Sequence, residues 1–392
     1  MSWKLSGRSL TNMVKNDISI ITVSYNQGDF IERTIRSVLF QEGSFYLEYI
    51  IIDGGSKDAT PGIIKKYERL LHEKAFAAKN SGIDLIYISE PDEGPTHALN
   101  KGLRLAKCKI IGFLNSDDTY PEGTIEKIVQ SFISYPETDV IYGNVLVVDE
   151  NDRVIGTRKG KQDLSLDDFK CKNALIQPEV FLRKEVTDRL GFFDESLGFV
   201  NDYEYWIRAL KNNIKFTYAP DIWVNFRKRK TARSSGIYPE SHIEYLTVQY
   251  RNFGLTPQFF KNFGKCAFAY SEKTGTELNK SFLLIKEGLE KHVGRDIFIK
   301  RRRQEKRLLA RGYIKKALLQ NFENRKVAVA YFLRAFSNCP PILCSKNGLK
   351  FCFRTYLCRK DIYFLIRNLV CKIFNRKYDD NELSEDRMQD IC

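Results

Sequence analysis

An α/β fold on an open, mostly parallel sheet is what this sequence predicts, and three observations predict it. Short β-branched runs alternate with longer stretches of helical period over the first 150 residues. The alternation occurs four times. Every polar cluster in this half falls where one of the short runs ends, as expected when helices cover both faces of a sheet and leave the strand ends as the functional edge.

The elements follow in order. "DISIITVSY" (17–25) reads as a buried strand, and "FIERTIRSVLFQ" (30–41) carries apolar residues at helical spacing with charges between them. "LEYIIID" (47–53) leads to "GIIKKYERLLHEK", "IDLIYIS" (83–89) to "THALNKGLRLA", and "KIIGFLN" to "GTIEKIVQSFIS". Right-handed connections then place the loops "SYNQG", "DGGSKDAT", "SEPDEG" and "NSDD" at one edge of the sheet. Further on, "SLGFVNDYEYWIRAL" puts Asp202 near a helix start, with Trp206 and Ile207 as core. "NIKFTYAPDIWVNF" reads as another strand.

Composition limits what such a fold is for. Hydrophobic residues make up 43% of the 392, enough for a sizeable core, and no window approaches the ~18 uninterrupted apolar residues of a membrane span. The first residues hold no run resembling a signal peptide, and the nine cysteines form no CxxC pair, so a cytosolic chain with reduced thiols is expected. The net charge of +14 is localised. Residues 256–392 hold 29 Lys and Arg against 14 Asp and Glu, leaving +15 there and −1 on the rest. The reading is an N-terminal tail (1–16), an α/β domain (17–235) and a basic, mainly helical region (236–392). Within the last, "IKRRRQEKRLLARGYIKKALLQ" (299–320) and "DIYFLIRNLVCKIFNRK" (361–377) suit either an anionic membrane face or a basic bundle. No recognition motif for nucleic acid accompanies the basic residues.

The loops suggest chemistry as residue types. Asp53 closes a strand and is followed by Gly54 and Gly55, which let a ligand approach the backbone, and by Ser56, a helix cap; Asp53 suits a base or ribose, or else an Asx-turn. Neither GxxxxGK[ST] nor GxGxxG is present. Asp117 and Asp118 suit a hard divalent ion, Mg2+ or Mn2+, shared with substrate phosphates, although Asp118 before Pro121 reads equally well as a helix cap.

In order, "ITVSYN", "IIDGGSKDAT", "SEPDEGPTHALNKGLRLA", "FLNSDD" and "GFFDESLGFVNDYEYWIRAL" resemble the motifs of family 2 glycosyltransferases over about residues 17–235. The resemblance implies the inverting GT-A type: a Rossmann-like nucleotide-binding half followed by an acceptor-binding half. By that analogy Tyr25, Asn26 and Asp53 line the nucleoside pocket, and Asp92 and Asn100 approach the ribose or sugar. Asn115 and Asp117 stand at the outer positions of a DxD-like triplet, with Asp117 on the metal and Asn115 on the ribose side. Asp202 is the general base, with Glu204 in reserve.

Two departures from the family pattern stand out. Asn115 replaces an Asp, and Arg229 stands where a metal-ligating His is expected; the four His, at 72, 97, 242 and 292, lie elsewhere. Arg227, Arg229 and Arg233 then become candidates for the diphosphate, or a solvated basic loop. The expected partners are a nucleotide-diphosphate sugar, UDP-sugar foremost, a saccharide or lipid-linked acceptor, a peripheral site on the cytoplasmic membrane face, and no nucleic acid. The alternatives are a nucleotide-sugar-binding protein without efficient turnover and a basic nucleic-acid-associated protein.

Overall fold

The structure is a computed structural model that describes residues 17–73, 80–229, 238–294 and 302–320, and positions 331, 334, 335 and 338. The chain forms two compact units, Met1–Gly236 and Ile237–Cys392.

The first unit is built on an eight-stranded sheet. Strands β1 (Ile18–Ser24), β2 (Tyr46–Asp53), β3 (Gly82–Ser89) and β4 (Ile110–Phe113) run parallel in the order β3-β2-β1-β4. The sheet continues through β7 (Val180–Arg183), antiparallel to β4, to β5 (Val140–Val148), which pairs antiparallel with β6 (Val154–Arg158) and parallel with β8 (Phe216–Arg227). The mostly parallel sheet expected from the sequence is therefore present, with β6 and β7 as its antiparallel members.

Strand parity explains the two layers. Ile18 and Ile20 of β1, with Leu47, Tyr49 and Ile51 of β2, share one core with Ile31, Ile35 and Val38 of α1 (Ile31–Leu39), Ile64 and Tyr67 of α2 (Thr60–His72), and Ile125 and Ile128 of α4 (Thr124–Ser134). Side chains alternate across a strand. Ile21 therefore faces the other way, onto α3 (Pro95–Leu105), where a Cβ on Gly102 would collide with it; the glycine lets helix and strand approach. Each fully buried Ile stabilises the layer by roughly 1.5–3 kcal/mol.

Register positions the site. Ser24 pairs with Asp53 and Asp53 with Ser89, so the first three strands end flush. The Leu114 N–H donates to the Ile21 carbonyl at 3.0 Å, which brings the β4 exit to the same edge. Beyond β6 lie α5 (Leu166–Phe169), a 3-10 turn (Gln177–Glu179), α6 (Lys184–Leu190) and α7 (Asn201–Lys211), whose Trp206 and Ile207 are core.

In the second unit α8 (Pro239–Phe253), α9 (Pro257–Thr274), α10 (Leu278–Val293) and α11 (Arg302–Gln320) pack around Phe259, Phe263, Phe282, Ile285 and Leu289. The basic segment 299–320 is helical from Arg302, and Ala310, Tyr313 and Ile314 are buried. Residues 361–377 lie outside the described residues. Among the described residues no helix is long and apolar enough to cross a membrane.

Candidate functional site

The loops at the sheet edge are tied to one another by their own polar groups. Asn26, at φ +51° just after β1, donates its N–H to Ser56 Oγ at 2.7 Å, and its Oδ1 accepts from the Lys57 N–H at 2.9 Å. Gln27 N–H reaches Thr60 Oγ1 at 2.8 Å, and Gly28 N–H reaches Asp58 Oδ2 at 2.8 Å. The left-handed backbone at Asn26, a residue type that tolerates it, turns the β1 loop onto the β2 loop. Tyr25 is left 60% exposed, its ring lying over Gly54.

Asp53 is the knot behind this surface. It is fully buried; Oδ2 accepts from Ser56 N–H at 3.0 Å and Ser89 Oγ at 2.6 Å, and Oδ1 accepts from Ser56 Oγ. Gly54 and Gly55 pass in front. A Cβ at Gly54 would stand 2.7 Å from Asp92 Oδ2 and 3.4 Å from Tyr25 Cδ2, and Gly55 has φ +78°. Asp92 Oδ1 accepts from Gly94 N–H at 2.8 Å, fixing the carboxylate at the start of α3. Asn100 lies deeper. It is buried and latches residues 193–195, with Oδ1 accepting from Phe193 N–H at 3.0 Å and Nδ2 donating to the Phe193 carbonyl at 3.0 Å and Glu195 Oε1 at 2.8 Å.

The "NSDD" turn is closed by arginines. Asp118 is buried, with Oδ1 accepting from the Arg227 N–H at 2.7 Å and Oδ2 from Asn115 Nδ2 at 2.9 Å. Burial, and next the Asp117 charge, holds its carboxyl well above the usual carboxylate range. The sequence offered Arg227 to a diphosphate. Its buried guanidinium is instead spent within the fold, on the Asp117 carbonyl at 2.8 Å, the Asp149 carbonyl at 2.8 Å and the Asp152 carboxylate. Arg229 pairs with Asp117 Oδ2 through Nε at 2.8 Å and Nη2 at 2.7 Å. Arg233 lies outside the described residues.

The resemblance implies a divalent ion here, and the donor set as arranged does not fit one. Asp117 Oδ2 already meets a guanidinium, and both Asp118 oxygens accept hydrogen bonds in a buried, proton-favouring setting. Among the described residues no three acidic, His or Cys side chains are grouped to hold a metal.

The second half brings Asp202 to the same neighbourhood. Asn201 Nδ2 donates to Thr96 Oγ1 at 2.9 Å, joining the start of α7 to the start of α3, two residues beyond Gly94. Asp202 is half-buried; Oδ1 accepts from Tyr203 N–H at 2.7 Å and Oδ2 from Asn173 Nδ2 at 2.9 Å. Burial dominates those bonds and pushes its carboxyl up to about 6. Glu204, by contrast, is held by Arg208 at 2.8–3.3 Å. Arg208 also donates to the Leu190 and Phe192 carbonyls at 2.6 and 2.9 Å, so the reserve base is bound into a structural clamp.

Three residues here escaped the sequence reading. Asn173 holds Asp202, and the Arg158–Glu179 ion pair braces the segment carrying Asn173, Arg158 also donating to the Ala174 carbonyl and Glu179 Oε1 accepting from Ile176 N–H at 2.7 Å. Glu179 is fully buried, and its carboxyl is raised by that burial against the pull of Arg158. No local motif marks them; only the buried charge pair does, and that exists once the chain is folded.

Residues 19–188 match the family described as Glycosyl transferase family 2. The chain is 30% identical over 195 residues to the "Putative teichuronic acid biosynthesis glycosyltransferase TuaG" of Bacillus subtilis (strain 168), covering 50% of this chain and 72% of that protein. It is 27% identical over 223 residues to the minor teichoic acid biosynthesis protein GgaA of the same organism, covering 54% of this chain and 47% of that one. Among solved structures, S. aureus TarS residues 1–349 with UDP-GlcNAc aligns at TM-score 0.46 and 18% identity, over 82% of this chain and 89% of that chain.

Proposed function

The chain belongs to glycosyl transferase family 2, and from that premise we propose that it moves a sugar from a nucleotide-diphosphate sugar, UDP-sugar foremost, to an acceptor hydroxyl with inversion at the anomeric carbon. The observation that carries this reading is Asp202, a half-buried carboxylate at a helix start whose proton affinity is raised to about 6. A base matched in this way to neutral pH suits general-base catalysis. Asp202 takes the acceptor hydroxyl proton as that oxygen bonds to the anomeric carbon, and the diphosphate leaves from the opposite side with the electron pair of the broken C–O bond.

On the donor side, Tyr25 offers an exposed ring for the base and Asn26 a polar edge. Gly54 and Gly55 allow the backbone to come close, and Asp92 faces the ribose or sugar. Asp53 and Ser56 act from behind by fixing the loops, Asn115 and Asp118 fix the β4 turn, and Asn100 fixes residues 193–195. No step is routed through a metal. TuaG and GgaA, named for teichuronic acid and minor teichoic acid biosynthesis, favour a saccharide or lipid-linked acceptor in surface polysaccharide assembly.

The test is a panel of nucleotide sugars, read by thermal stabilisation and by NMR of the product's anomeric configuration. At least one donor is expected to stabilise the protein and to give an inverted product. A panel in which nothing binds or is turned over overturns the reading.

A narrower prediction concerns Gly54. In Gly54→Ala the new methyl carbon displaces the Asp92 carboxylate, since 2.7 Å is too close for the two to coexist. Donor affinity by calorimetry is expected to fall about tenfold, one hydrogen bond's worth, with the melting temperature little changed. Unaltered affinity would remove Asp92 from the donor site.

A further inference from the structure

We infer that Arg229 is the resident cation of this site and meets the donor diphosphate in place of a divalent ion. The inference rests on the donor-binding reading above and deepens it.

Arg229 stands two residues beyond β8, where the family pattern has a His. Its guanidinium is fixed on three sides: Nε and Nη2 lie 2.8 and 2.7 Å from Asp117 Oδ2, Nη2 donates to Gln27 Oε1 at 3.0 Å, and the Phe30 ring centroid is 4.5 Å from Cζ. The Arg229 and Asp117 side chains are 11% and 15% exposed, so the pair is a built feature and not a passing surface contact. Among the described residues nothing is bonded to Nη1. The group that anchors the guanidinium, Gln27, belongs to the β1 loop that follows Tyr25 and Asn26, which ties Arg229 to the donor-binding residues.

A metal and this arginine compete for one place. A divalent ion on Asp117 would meet a fixed positive charge within hydrogen-bonding distance of its ligand, and the substitution of Arg for His removes a neutral nitrogen ligand while supplying the charge itself. Nη1 is the donor left to a phosphate oxygen, and a charge-assisted hydrogen bond from a guanidinium to phosphate is among the strong ones. As the anomeric C–O bond breaks, its electron pair passes to the diphosphate oxygen, and a preorganised cation beside that oxygen stabilises the charge without transfer of a proton. Asp117 then serves to aim the arginine.

The experiment uses the full chain with UDP and GDP as probes, by calorimetry in EDTA and in Mn2+, together with the electron paramagnetic resonance signal of bound Mn2+. Wild-type binding is expected to be the same in both media and to retain no Mn2+. Arg229→Met is expected to weaken binding about 10- to 100-fold in either medium, the range for a hydrogen bond to a charged group. Arg229→His restores a nitrogen ligand beside Asp117, so its binding is expected to depend on Mn2+ and to bring a bound-Mn2+ signal; this variant decides the matter if Arg229→Met does not fold. Wild-type binding that EDTA abolishes and Mn2+ restores overturns the role of Arg229 alone. Failure of both nucleotides to bind in either medium overturns the donor reading, and the inference with it.

Discussion

Replacing Asp202 with Asn is expected to lower sugar transfer by about 10²- to 10⁴-fold, the usual worth of a general base, while donor affinity stays close to that of the wild type. The separation follows from position. Asp202 belongs to α7 and is held by Asn173 and the Tyr203 N–H, whereas the donor-side groups lie on the loops after β1, β2 and β3. The wild-type pH profile of kcat/KM should carry an acidic limb. Only the ionised carboxylate can accept the hydroxyl proton, so activity rises with pH through about 6 and levels above it. In Asp202→Asn the limb should vanish along with most of the rate. Transfer at the original rate would take the base assignment away.

The same carboxylate has a cost in stability, and its sign is opposite to that of most acidic groups. Its folded-state pKa, about 6, lies above the ordinary value of 3.8, so the folded protein binds the proton more tightly than the unfolded chain does. Stability therefore falls as pH rises from about 4 through 6, and the full penalty, on the order of 3 kcal/mol, is present at neutral pH. The stability of Asp202→Asn relative to wild type should improve by that amount between pH 4 and pH 7.5 in urea titrations. Raised proton affinity of this kind, at a place useful for chemistry, is what a catalytic carboxylate needs.

Much of the framework was legible because it follows from local rules. Four apolar runs of strand length, each followed by a stretch of period 3.6, leave little choice but a parallel sheet, and register then places Ser24, Asp53 and Ser89 level with one another. The residue types of the loops pointed to the edge of that sheet. What each side chain does there was less legible, because it depends on partners far away in sequence. Asp53 is satisfied by Ser89, 36 residues on; Asn100 latches residues 193–195; Arg227 is consumed by carbonyls more than 70 positions away. Composition shows that a carboxylate or guanidinium is present, and burial decides whether it faces inward. Asn173, Arg158 and Glu179 are the extreme case, since their significance is wholly a product of the fold.

Arg227 and Arg229 are separated by one residue, and substitution should part them completely. Arg227→Met is expected to destabilise the first unit by about 3–5 kcal/mol, the cost of removing one member of a buried charged network, and so to lower its melting temperature by roughly 10 °C. Little of this comes from the ion pair with Asp152. That carboxylate is half-exposed and keeps Arg33 at 2.6 Å, so Asp152→Asn should cost under about 1 kcal/mol. The larger part is the loss of the bonds to the Asp117 and Asp149 carbonyls, of which the Asp149 carbonyl keeps only the Asp152 N–H at 3.2 Å. The β4 turn is held from both sides by this residue, through its side chain on Asp117 and its backbone N–H on Asp118. Loosening that turn should therefore reduce stability and nucleotide affinity together, since Asp117 aims Arg229, whereas the Arg229 variants should lose affinity with a smaller loss of stability. Urea unfolding and calorimetry on the same samples distinguish the two. An Arg227→Met protein as stable as the wild type yet unable to bind nucleotide would mean that the buried guanidinium turns outward to the ligand, contrary to the role its hydrogen bonds assign it.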